Sequence, residues 1–158
     1  MLTVLSLGAG VQSSTVALLA AHGEIAPMPD CAIFADTGWE PEAVYAHLSW
    51  LRSPNVLPFP VHVIMAGNIR DDTLRNAAGL TNGKRSATPP FFTTGRDGRE
   101  AMLSRQCTET YKIEPITKEC RALLGLRPRQ RAPKSVAVQL WIGISRDEAH
   151  RAKPSRIL

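Results

Sequence analysis

Cysteine is scarce in this sequence, and its scarcity excludes several kinds of protein. The 158 residues include three cysteines, Cys31, Cys107 and Cys120, which are widely spaced and form no Cys-x-x-Cys pair. Neither a disulfide framework nor a zinc ribbon fits this pattern, and three thiols are too few for a four-cysteine iron–sulfur cluster. We therefore expect reduced cysteines and no iron–sulfur cluster, and we assign no side chain to a metal.

Apolar stretches long enough to cross a bilayer are missing too. The N-terminus has no basic segment ahead of its apolar residues 2–7, so these residues fit a first strand better than a signal peptide. We expect a cytoplasmic protein without a membrane partner. At 158 residues and 44% hydrophobic composition, the chain can build one core, and we expect a single domain spanning residues 1–158.

The first lysine is Lys84, which excludes a Walker-type phosphate loop near the N-terminus, because that loop ends in Lys followed by Ser or Thr. Residues 4–19 fit another kind of phosphate loop: an apolar run breaks at Gly-Ala-Gly and restarts after Ser-Ser-Thr as a helical pattern. Backbone N–H groups and the positive end of the helix favour an anion in such a turn. The pattern predicts a phosphate site at residues 8–14, and the net charge of +5 suits an anionic ligand.

Apolar runs of strand length alternate with helical patterns along the chain. We predict strands at residues 2–7, 31–35, 61–65 and 136–144, and helices at 13–21, 41–52, 69–78 and 108–124, the last kinked or restarted at Pro115. Residues 79–99 are predicted to form a long loop and 127–134 a basic linker. This order predicts a Rossmann-like α/β fold, a three-layer domain with a mostly parallel five-stranded sheet and right-handed crossovers.

Polar residues follow three of the predicted strands at their carboxyl ends. They are the loop at residues 8–14, the turn Asp36-Thr37-Gly38 and the segment Ser145-Arg146-Asp147. Ligands of open parallel sheets bind at this edge, beside the point where the strand order reverses, so we expect the three segments to lie together. For Asp36, an Asx-type turn that caps the next helix is an alternative explanation.

Residues 8–14 resemble the PP-loop of the adenine nucleotide α-hydrolase superfamily, whose Ser-Gly-Gly-x-Asp-Ser-Ser/Thr motif grips the phosphates of ATP or a related adenylate. Gly10, Ser13 and Ser14 agree with the motif, small residues replace its first Ser and Gly, and Gln12 replaces its acidic residue. The resemblance implies that the following residues bind the nucleotide: Ser6, Gly8, Ala9, Gly10, Val11, Gln12, Ser13 and Ser14.

Two further segments resemble the phosphoadenylyl-sulfate reductase branch of this superfamily. The turn at residues 36–38 matches the Asp-Thr-Gly of the branch, which the resemblance places against adenine and ribose. Cys107 is followed by Lys112 five residues later and by Pro115 three beyond it, as in the branch. The resemblance implies that Lys112 faces phosphate or sulfate oxygens. Cys107 is a candidate reactive thiol because the cationic neighbours Arg105 and Lys112 favour a thiolate.

The segment after the last predicted strand resembles the Gly-Ile-Arg-x-x-Glu-Ser-x-x-Arg of the same branch. Gly143, Glu148 and Arg151 are in place, while Ser145 takes the position of the first arginine and Arg146 follows it. The resemblance implies that Gly143 and Arg151 contact the nucleotide. It also implies that Arg146 acts in catalysis by completing the anion pocket.

The four matches follow the order of the family, and the chain is identified by resemblance as a phage-type short member of the branch. Family members usually continue past the equivalent of Arg151, and the catalytic C-terminal cysteine of the reductases has no counterpart, so we do not expect reductase activity. The resemblance implies ATP or a phosphoadenylyl-sulfate-like nucleotide as ligand, with Mg²⁺ accompanying ATP. It further implies cleavage between the α- and β-phosphates with release of pyrophosphate, the developing charge being stabilised by Lys112 and Arg146.

Three other functions stay open. Sulfur transfer to tRNA or DNA would use the Cys107 thiol, with Lys84-Arg85 and the basic residues 127–134 against phosphodiesters. A nucleotide-binding module without turnover would fit Gln12 and the early C-terminus, and a nucleic-acid or protein partner could supply the missing C-terminal elements. A dinucleotide-binding domain would need a third glycine where Ser13 stands.

Overall fold

A computed structural model describes residues 1–80, 92–102, 107–133, 135 and 138–151; for residues 93, 102 and 151 it describes the backbone only. The predictions for Lys84-Arg85, Arg105 and Lys134 concern positions outside the described residues. The described strands and α-helices are β1 (Leu2–Ser6), α1 (Val11–Ala21), β2 (Cys31–Asp36), α2 (Glu42–Leu51), β3 (Val61–Met65), α3 (Ile69–Ala77), β4 (Phe92–Thr94), β5 (Glu100–Met102), α4 (Glu114–Leu123) and β6 (Val138–Ile142). A π-helical turn (Glu109–Ile113) precedes α4, and a 3-10 helix (Arg146–Arg151) follows β6.

Four strands form the main sheet in the order β3-β2-β1-β6, and neighbouring strands are parallel throughout. The predicted α/β fold is confirmed. The chain adds β2 and β3 on one side of β1 and later places β6 on the other side, so the strand order reverses between β1 and β6. At such a switch point the loops that follow the two strands turn away from each other and leave a crevice for a ligand.

The strand count differs from the expectation, because within the described residues the main sheet has four strands rather than five. The strands β4 and β5 instead pair with each other, antiparallel, as a hairpin. Its turn is closed by the N–H of Gly95, which donates to the carbonyl of Arg99, and by the N–H of Gly98, which donates to the carbonyl of Gly95. The part of the predicted long loop that lies at residues 92–99 is therefore structured, since the hairpin satisfies its own backbone groups.

Helices cover both faces of the main sheet, which explains why all six residues of β2 are buried. One face packs against α1 and α2, in a core that includes Leu5, Phe34, Ala17, Ala20, Leu48 and Leu51. The other face packs against α4, in a core that includes Val4, Ile33, Ile116 and Cys120. The result is the three-layer arrangement of helix, sheet and helix.

The helical segment predicted at residues 108–124 is divided near Pro115, as predicted. Proline has no N–H to donate to the carbonyl four residues earlier, so a regular helix cannot run through this position. The π-helical turn ends at Ile113, and α4 begins at Glu114 with Pro115 in its first turn. The π-helical turn carries Lys112 to the edge of the sheet where the strands end.

The described helices are short. Helix α1 has 11 residues, and α2 and α4 have 10 residues each. A helix needs about 20 predominantly apolar residues to cross a bilayer. No helix within the described ranges has the length and apolarity for such a span.

Candidate functional site

Helix α1 begins directly after the glycine-containing loop that follows β1. It starts at Val11, two residues earlier than predicted, because the carbonyl of Gly10 already accepts the N–H of Ser14 at 3.0 Å. Gly10 is the N-cap residue, and no side chain in the described part of the chain caps this helix end. The first backbone N–H groups of α1 therefore remain available to an anion in the positive field of the helix N-terminus.

The loop turns into α1 through Ala9, whose φ of 52° lies in the left-handed region. This conformation costs a residue other than glycine roughly 1 kcal/mol or more. The next residue, Gly10, is extended, and no heavy atom lies within 4 Å of the position that a Cβ would take there. The open space beside the Gly10 backbone is wide enough for an anion to approach the helix end.

Ser13 braces the loop from inside. Its Oγ accepts the N–H of Gly8 at 3.1 Å and donates to the carbonyl of Gly10 at 3.3 Å. The residue is buried, yet it contributes to the wall of the cavity in front of α1. The Ser13 hydroxyl thus holds the loop in shape, and its long bond to Gly10 can be exchanged for a bond to a ligand oxygen.

Ser14 lies against α2 instead. Its Oγ lies 2.9 Å from Nε2 of His47 on α2, and the His47 ring stacks on Trp50 with 5.4 Å between ring centroids. The two serine hydroxyl groups that were predicted to bind phosphate therefore have different roles. Ser13 lies at the cavity, and Ser14 ties α1 to α2.

Gly143 follows β6 and lies directly against the first turn of α1. A Cβ at Gly143 would lie 2.5 Å from the backbone nitrogen of Ser13 and 2.6 Å from the carbonyl carbon of Gln12, whereas ordinary contacts begin at 3.4 Å. The pairing of β1 with β6, in which Ser6 is opposite Ile142, brings the two strand ends together here. Gly143 therefore acts by letting the backbone of α1 approach, and it has no side chain to offer a ligand.

A cavity of about 370 Å³ opens in front of α1, beside the switch point of the sheet. We call it the phosphate cavity. The described residues that line it are Ser6, Gly8, Gly10, Gln12, Ser13, Lys112, Ile142, Gly143 and Glu148. They come from three of the four segments predicted to form the site, and the volume is within the usual range for a small-molecule pocket.

Lys112 supplies the positive side-chain charge of this wall. Its Nζ lies 3.8 Å from Oε1 of Glu40, and the same oxygen accepts the hydroxyl of Thr37 at 3.0 Å. The Lys112 side chain is 48% exposed, so its ammonium group has donors left for a ligand. Lys112 is thus held at the site by Glu40 without being buried in an ion pair.

A second cavity, of about 240 Å³, shares Lys112 with the phosphate cavity. We call it the adjoining cavity. The described residues that line it are Thr37, Trp39, Glu40, Ile69, Cys107, Thr108 and Lys112. A ligand extending past Lys112 would enter this space and meet the exposed ring of Trp39.

Asp36 shapes the turn after β2. Its Oδ1 accepts the N–H of Gly38 at 2.7 Å and the hydroxyl of Tyr45 at 2.9 Å, which is the expected Asx-type turn with an added bond to α2. Gly38 has φ of 72°, and a Cβ there would lie 2.8 Å from Nδ2 of Asn68. Of the three residues predicted to contact adenine and ribose, Thr37 lines a cavity, while Asp36 and Gly38 hold the turn.

Several predicted site residues are not among the described residues that line the phosphate cavity. Arg146 is exposed on the 3-10 helix, and Val11 is 82% exposed at the start of α1. Within the described residues, neither of them nor Ala9 contributes to the cavity wall. The side chain of Arg151 lies outside the described part of the chain. Contacts of these four residues with a nucleotide stay predictions.

The three cysteines have different surroundings. Cys107 is half-buried and lines the adjoining cavity. Cys31 on β2 and Cys120 on α4 lie in the core between the sheet and α4, and burial raises the pKa of each thiol to about 11. Both core thiols therefore stay protonated at neutral pH and are poor nucleophiles, whereas Cys107 has access to a ligand.

Two site residues were missed at the sequence level. Glu40 positions Lys112, and its spacing of three residues from Thr37 in a polar turn was a usable signal, since a side chain at that distance can return to the hydroxyl. His47 was given no role, and its contact with Ser14 depends on how α2 packs against α1. No local pattern could have indicated that contact.

The donor atoms of the phosphate cavity could hold Mg²⁺ only together with a bound ligand that supplies further oxygen atoms. Within the described ranges no group of three or more His, Cys, Asp or Glu side chains could hold a metal. Gln12, Ser13 and Glu148 offer oxygen atoms at the cavity wall. Mg²⁺ prefers oxygen ligands and is usually held by one or two carboxylates together with substrate phosphates, so these residues fit a nucleotide-borne ion.

Comparison with known proteins identifies no relative. No protein-family model matches the chain, and neither a curated protein nor a solved structure gives a significant match.

Proposed function

We propose that the chain binds an adenine nucleotide, ATP or a sulfonucleotide, with its phosphates in the phosphate cavity. We further propose that it cleaves ATP between the α- and β-phosphates and releases pyrophosphate, leaving an adenylate. The observation that carries this proposal is the N-terminus of α1, which no described side chain caps and which faces a cavity that also exposes the ammonium group of Lys112. The preference for adenine rests on the resemblance of residues 8–14 and 36–38 to the superfamily.

The chain's own groups would act mainly by binding and electrostatics. The first N–H groups of α1 and the Ser13 hydroxyl would donate to phosphate oxygens, and Lys112, which also lines the cavity, would add a full positive charge. Donors that are fixed before the reaction stabilise charge that develops during it, at little reorganisation cost. Mg²⁺ bound with ATP would supply further charge neutralisation of the phosphates.

The proposal also covers the location of the protein in the cell and its partner. We place the protein in the cytoplasm, where ATP is available. We also propose a nucleic-acid or protein partner, which would supply the acceptor of the adenylate or further residues of the site.

Phosphorus NMR of ATP with Mg²⁺ and the purified protein tests the reaction, and calorimetric titrations with ATP and with phosphoadenylyl sulfate test binding. Pyrophosphate together with AMP or an adenylate is the expected product set. Tight binding without products would contradict the cleavage step and indicate a nucleotide-binding module without turnover. No binding of either nucleotide would overturn it.

The two serines of the loop provide a matched pair of variants. Ser13→Ala is expected to weaken ATP binding by about tenfold, because a hydrogen bond to a charged phosphate is lost. Ser14→Ala is expected to leave ATP affinity near that of the unmodified protein, because the Ser14 hydroxyl bonds to His47 instead. Equal losses of affinity in both variants would contradict this assignment.

Sulfur transfer to tRNA or DNA is a second candidate, favoured by one observation. Cys107 lines the adjoining cavity, and Lys112 is part of both cavity walls, so a thiol lies next to the place proposed for the nucleotide. Cys107→Ala separates the two functions. ATP binding and pyrophosphate release are expected to survive the change, whereas sulfur transfer requires the thiol and is expected to stop.

A further inference from the structure

Tyr111 precedes Lys112 in the π-helical turn, and its side chain is buried, whereas the Lys112 side chain is 48% exposed. The Tyr111 hydroxyl donates to Oδ2 of Asp72 on α3 at 2.5 Å. A hydrogen bond to a carboxylate is stronger than one between neutral groups, and partial exclusion of water strengthens it further. This bond therefore joins the π-helical turn firmly to α3.

The residues around Tyr111 make room for this bond and shield it. A Cβ at Gly67 would lie 3.0 Å from Oδ2 of Asp72 and 3.5 Å from Cε1 of Tyr111, so the pair approaches the backbone at a glycine. Ile69 packs against Tyr111, and Cys107 packs against both. Burial, with a further contribution from the bond to Asp72, raises the pKa of Tyr111, so its hydroxyl stays protonated and remains a donor at neutral pH.

The start of α3 is tied in turn to the loop after β2. Nδ2 of Asn68 donates to the carbonyl of Gly38 at 3.0 Å, and the N–H of Ile69 donates to the carbonyl of Thr37 at 2.9 Å. Helix α3 is therefore held at the edge of the sheet where the strands end, and it gives Tyr111 a fixed point of attachment.

These contacts close a ring whose members include residues that line the adjoining cavity. The ring runs from the turn after β2 through α3 to Tyr111, along the π-helical turn to Lys112, and back to the turn through Glu40. The pair of Lys112 and Glu40 spans 3.8 Å and is partly exposed, and an ion pair of this kind fixes a side chain only weakly. The bond of Tyr111 to Asp72 is the stronger of the two links that hold the turn.

We infer that Tyr111, through its hydrogen bond to Asp72, is a positioning residue for Lys112. It holds the π-helical turn where the ammonium group lines the phosphate cavity, and neither Tyr111 nor Asp72 is among the described residues of that cavity wall. This inference rests on the proposed function, because it concerns the residue that the proposal places against phosphate. It assigns the placing of that charge to a buried contact outside both cavities.

Tyr111→Phe tests the inference, because it keeps the buried ring and removes the hydroxyl. Asp72 has a further interaction of its own, so the carboxylate is left in place. Calorimetry is expected to show ATP binding weakened by roughly threefold to tenfold, as the loss of a hydrogen bond to a charged group allows. Tyr111→Phe is expected to cause no further loss when Lys112→Ala is already present, since a residue that acts through Lys112 has nothing left to position. Equal losses in the two backgrounds would overturn the inference.

The reaction of Cys107 with dithionitrobenzoate reports on the same turn without a nucleotide. Cys107 is half-buried against Tyr111, and the two core thiols react slowly because they are buried and protonated. Tyr111→Phe is expected to speed the reaction of Cys107 by about threefold or more, because the turn opens more often once its bond to α3 is lost. An unchanged rate would overturn the inference.

Thr73→Val is the matched control, since it also removes one hydroxyl group. The Thr73 hydroxyl donates to the carbonyl of Ile69 within α3, so its loss does not release the π-helical turn. This variant is expected to keep the ATP affinity and the Cys107 rate of the unmodified protein. Circular dichroism of every variant checks that it is folded.

The outcomes separate the inference from the proposed function. Full ATP affinity in Tyr111→Phe would overturn the inference while nucleotide binding stands. No binding of ATP by the unmodified protein would remove the proposed function, and the hold of Tyr111 on the turn would then stand or fall with the rates of the Cys107 thiol.

Discussion

Helices α1 and α3 each begin shortly after a strand of the main sheet, but their first N–H groups are satisfied differently. The N-cap residue of α3 is Asn68, whose Oδ1 accepts the N–H groups of Arg70 and Asp71 at 3.0 and 3.1 Å. Two aspartates also place negative charge in the first turn of α3. The N-cap residue of α1 is Gly10, its first turn has no acidic residue, and among the described side chains none caps it.

The difference shows that an open helix end is a local feature of the loop and not a property of the fold. The cap and the aspartates of α3 occupy the positive end of that helix and exclude an anion. Helix α1, with glycine as its N-cap residue, forgoes roughly a few tenths of a kcal/mol of capping stabilisation, and its positive end faces the phosphate cavity instead. A ligand that supplies negative charge would complete at α1 what the chain itself completes at α3.

The largest expected effect comes from moving α1. Gly143→Ala places a methyl group 2.5 Å from the Ser13 nitrogen, so the loop must shift. We expect the free energy of unfolding to fall by about 1 to 3 kcal/mol and ATP binding to become undetectable, as measured by urea unfolding and calorimetric titration. Gly8→Ala is the matched stability control, because its Cβ would meet Ser13 Oγ at an ordinary 3.7 Å. Unchanged stability in Gly143→Ala would show that this contact does not hold α1 in place.

A smaller effect is expected when α1 receives a cap of its own, as α3 has. Gly10→Asp fits without strain, because φ is −92° and no heavy atom lies within 4 Å of the new Cβ. The free energy of unfolding is expected to rise by about 0.5 kcal/mol, since the carboxylate caps the first turn, while ATP affinity falls by about tenfold or more through repulsion. Thermal unfolding and titration with ATP measure the two effects.

Gly10→Asn is the control for this variant, because it offers the same cap without the charge. Its affinity for ATP is expected to lie between those of the unmodified protein and of Gly10→Asp. If Gly10→Asp binds ATP as well as the unmodified protein does, the phosphates do not lie at this helix end.

The smallest effect on the site is expected from removing the cap of α3. Asn68→Ala leaves the N–H groups of Arg70 and Asp71 without their acceptor and is expected to lower the free energy of unfolding by about 1 kcal/mol. ATP affinity is expected to change far less than in the Gly10 variants, because Asn68 is not among the described residues of the phosphate cavity. Thermal unfolding checks the first statement and calorimetry the second. Asn68→Asp keeps the acceptor oxygen but, like Asn68→Ala, loses the Nδ2 donor to the carbonyl of Gly38, so a loss of ATP affinity shared by both variants would point to that bond. A large loss of ATP affinity in Asn68→Ala alone would show that the two helix ends are coupled.

Much of the fold was predictable from the sequence because its signals are local. The strand at residues 61–65 was predicted with the bounds that the structure has, and α2 and α3 were predicted to within one residue at each end. The division near Pro115 followed from the missing N–H of proline. The hairpin of β4 and β5 was not predicted, because its short strands have no clear alternation of apolar and polar residues and are defined by pairing with each other.

The candidate site was predictable in its location but not in its detail. The loop at residues 8–14 was identified from residue type and pattern and Lys112 from the resemblance to the reductase branch, and the structure brings both to one cavity. The different directions of the Ser13 and Ser14 side chains were not predicted. Neighbouring residues of a helix point about 100° apart, and the packing of α2 against α1 decides which of the two side chains α2 covers. The same holds for Glu148, whose contact with Gln12 joins the two ends of the chain.

By itself, the sequence determined where most of the strands and helices form and where a glycine-containing turn leads into α1, because periodicity, glycine and proline act on their immediate neighbours. Only the tertiary structure decided what faces that turn. The parallel pairing of β1 with β6 places Gly143 against α1, and the packing of α2 ties Ser14 to His47. These contacts join segments that are distant in the chain, and they form because burying the sheet between its helices leaves one arrangement of the strand ends.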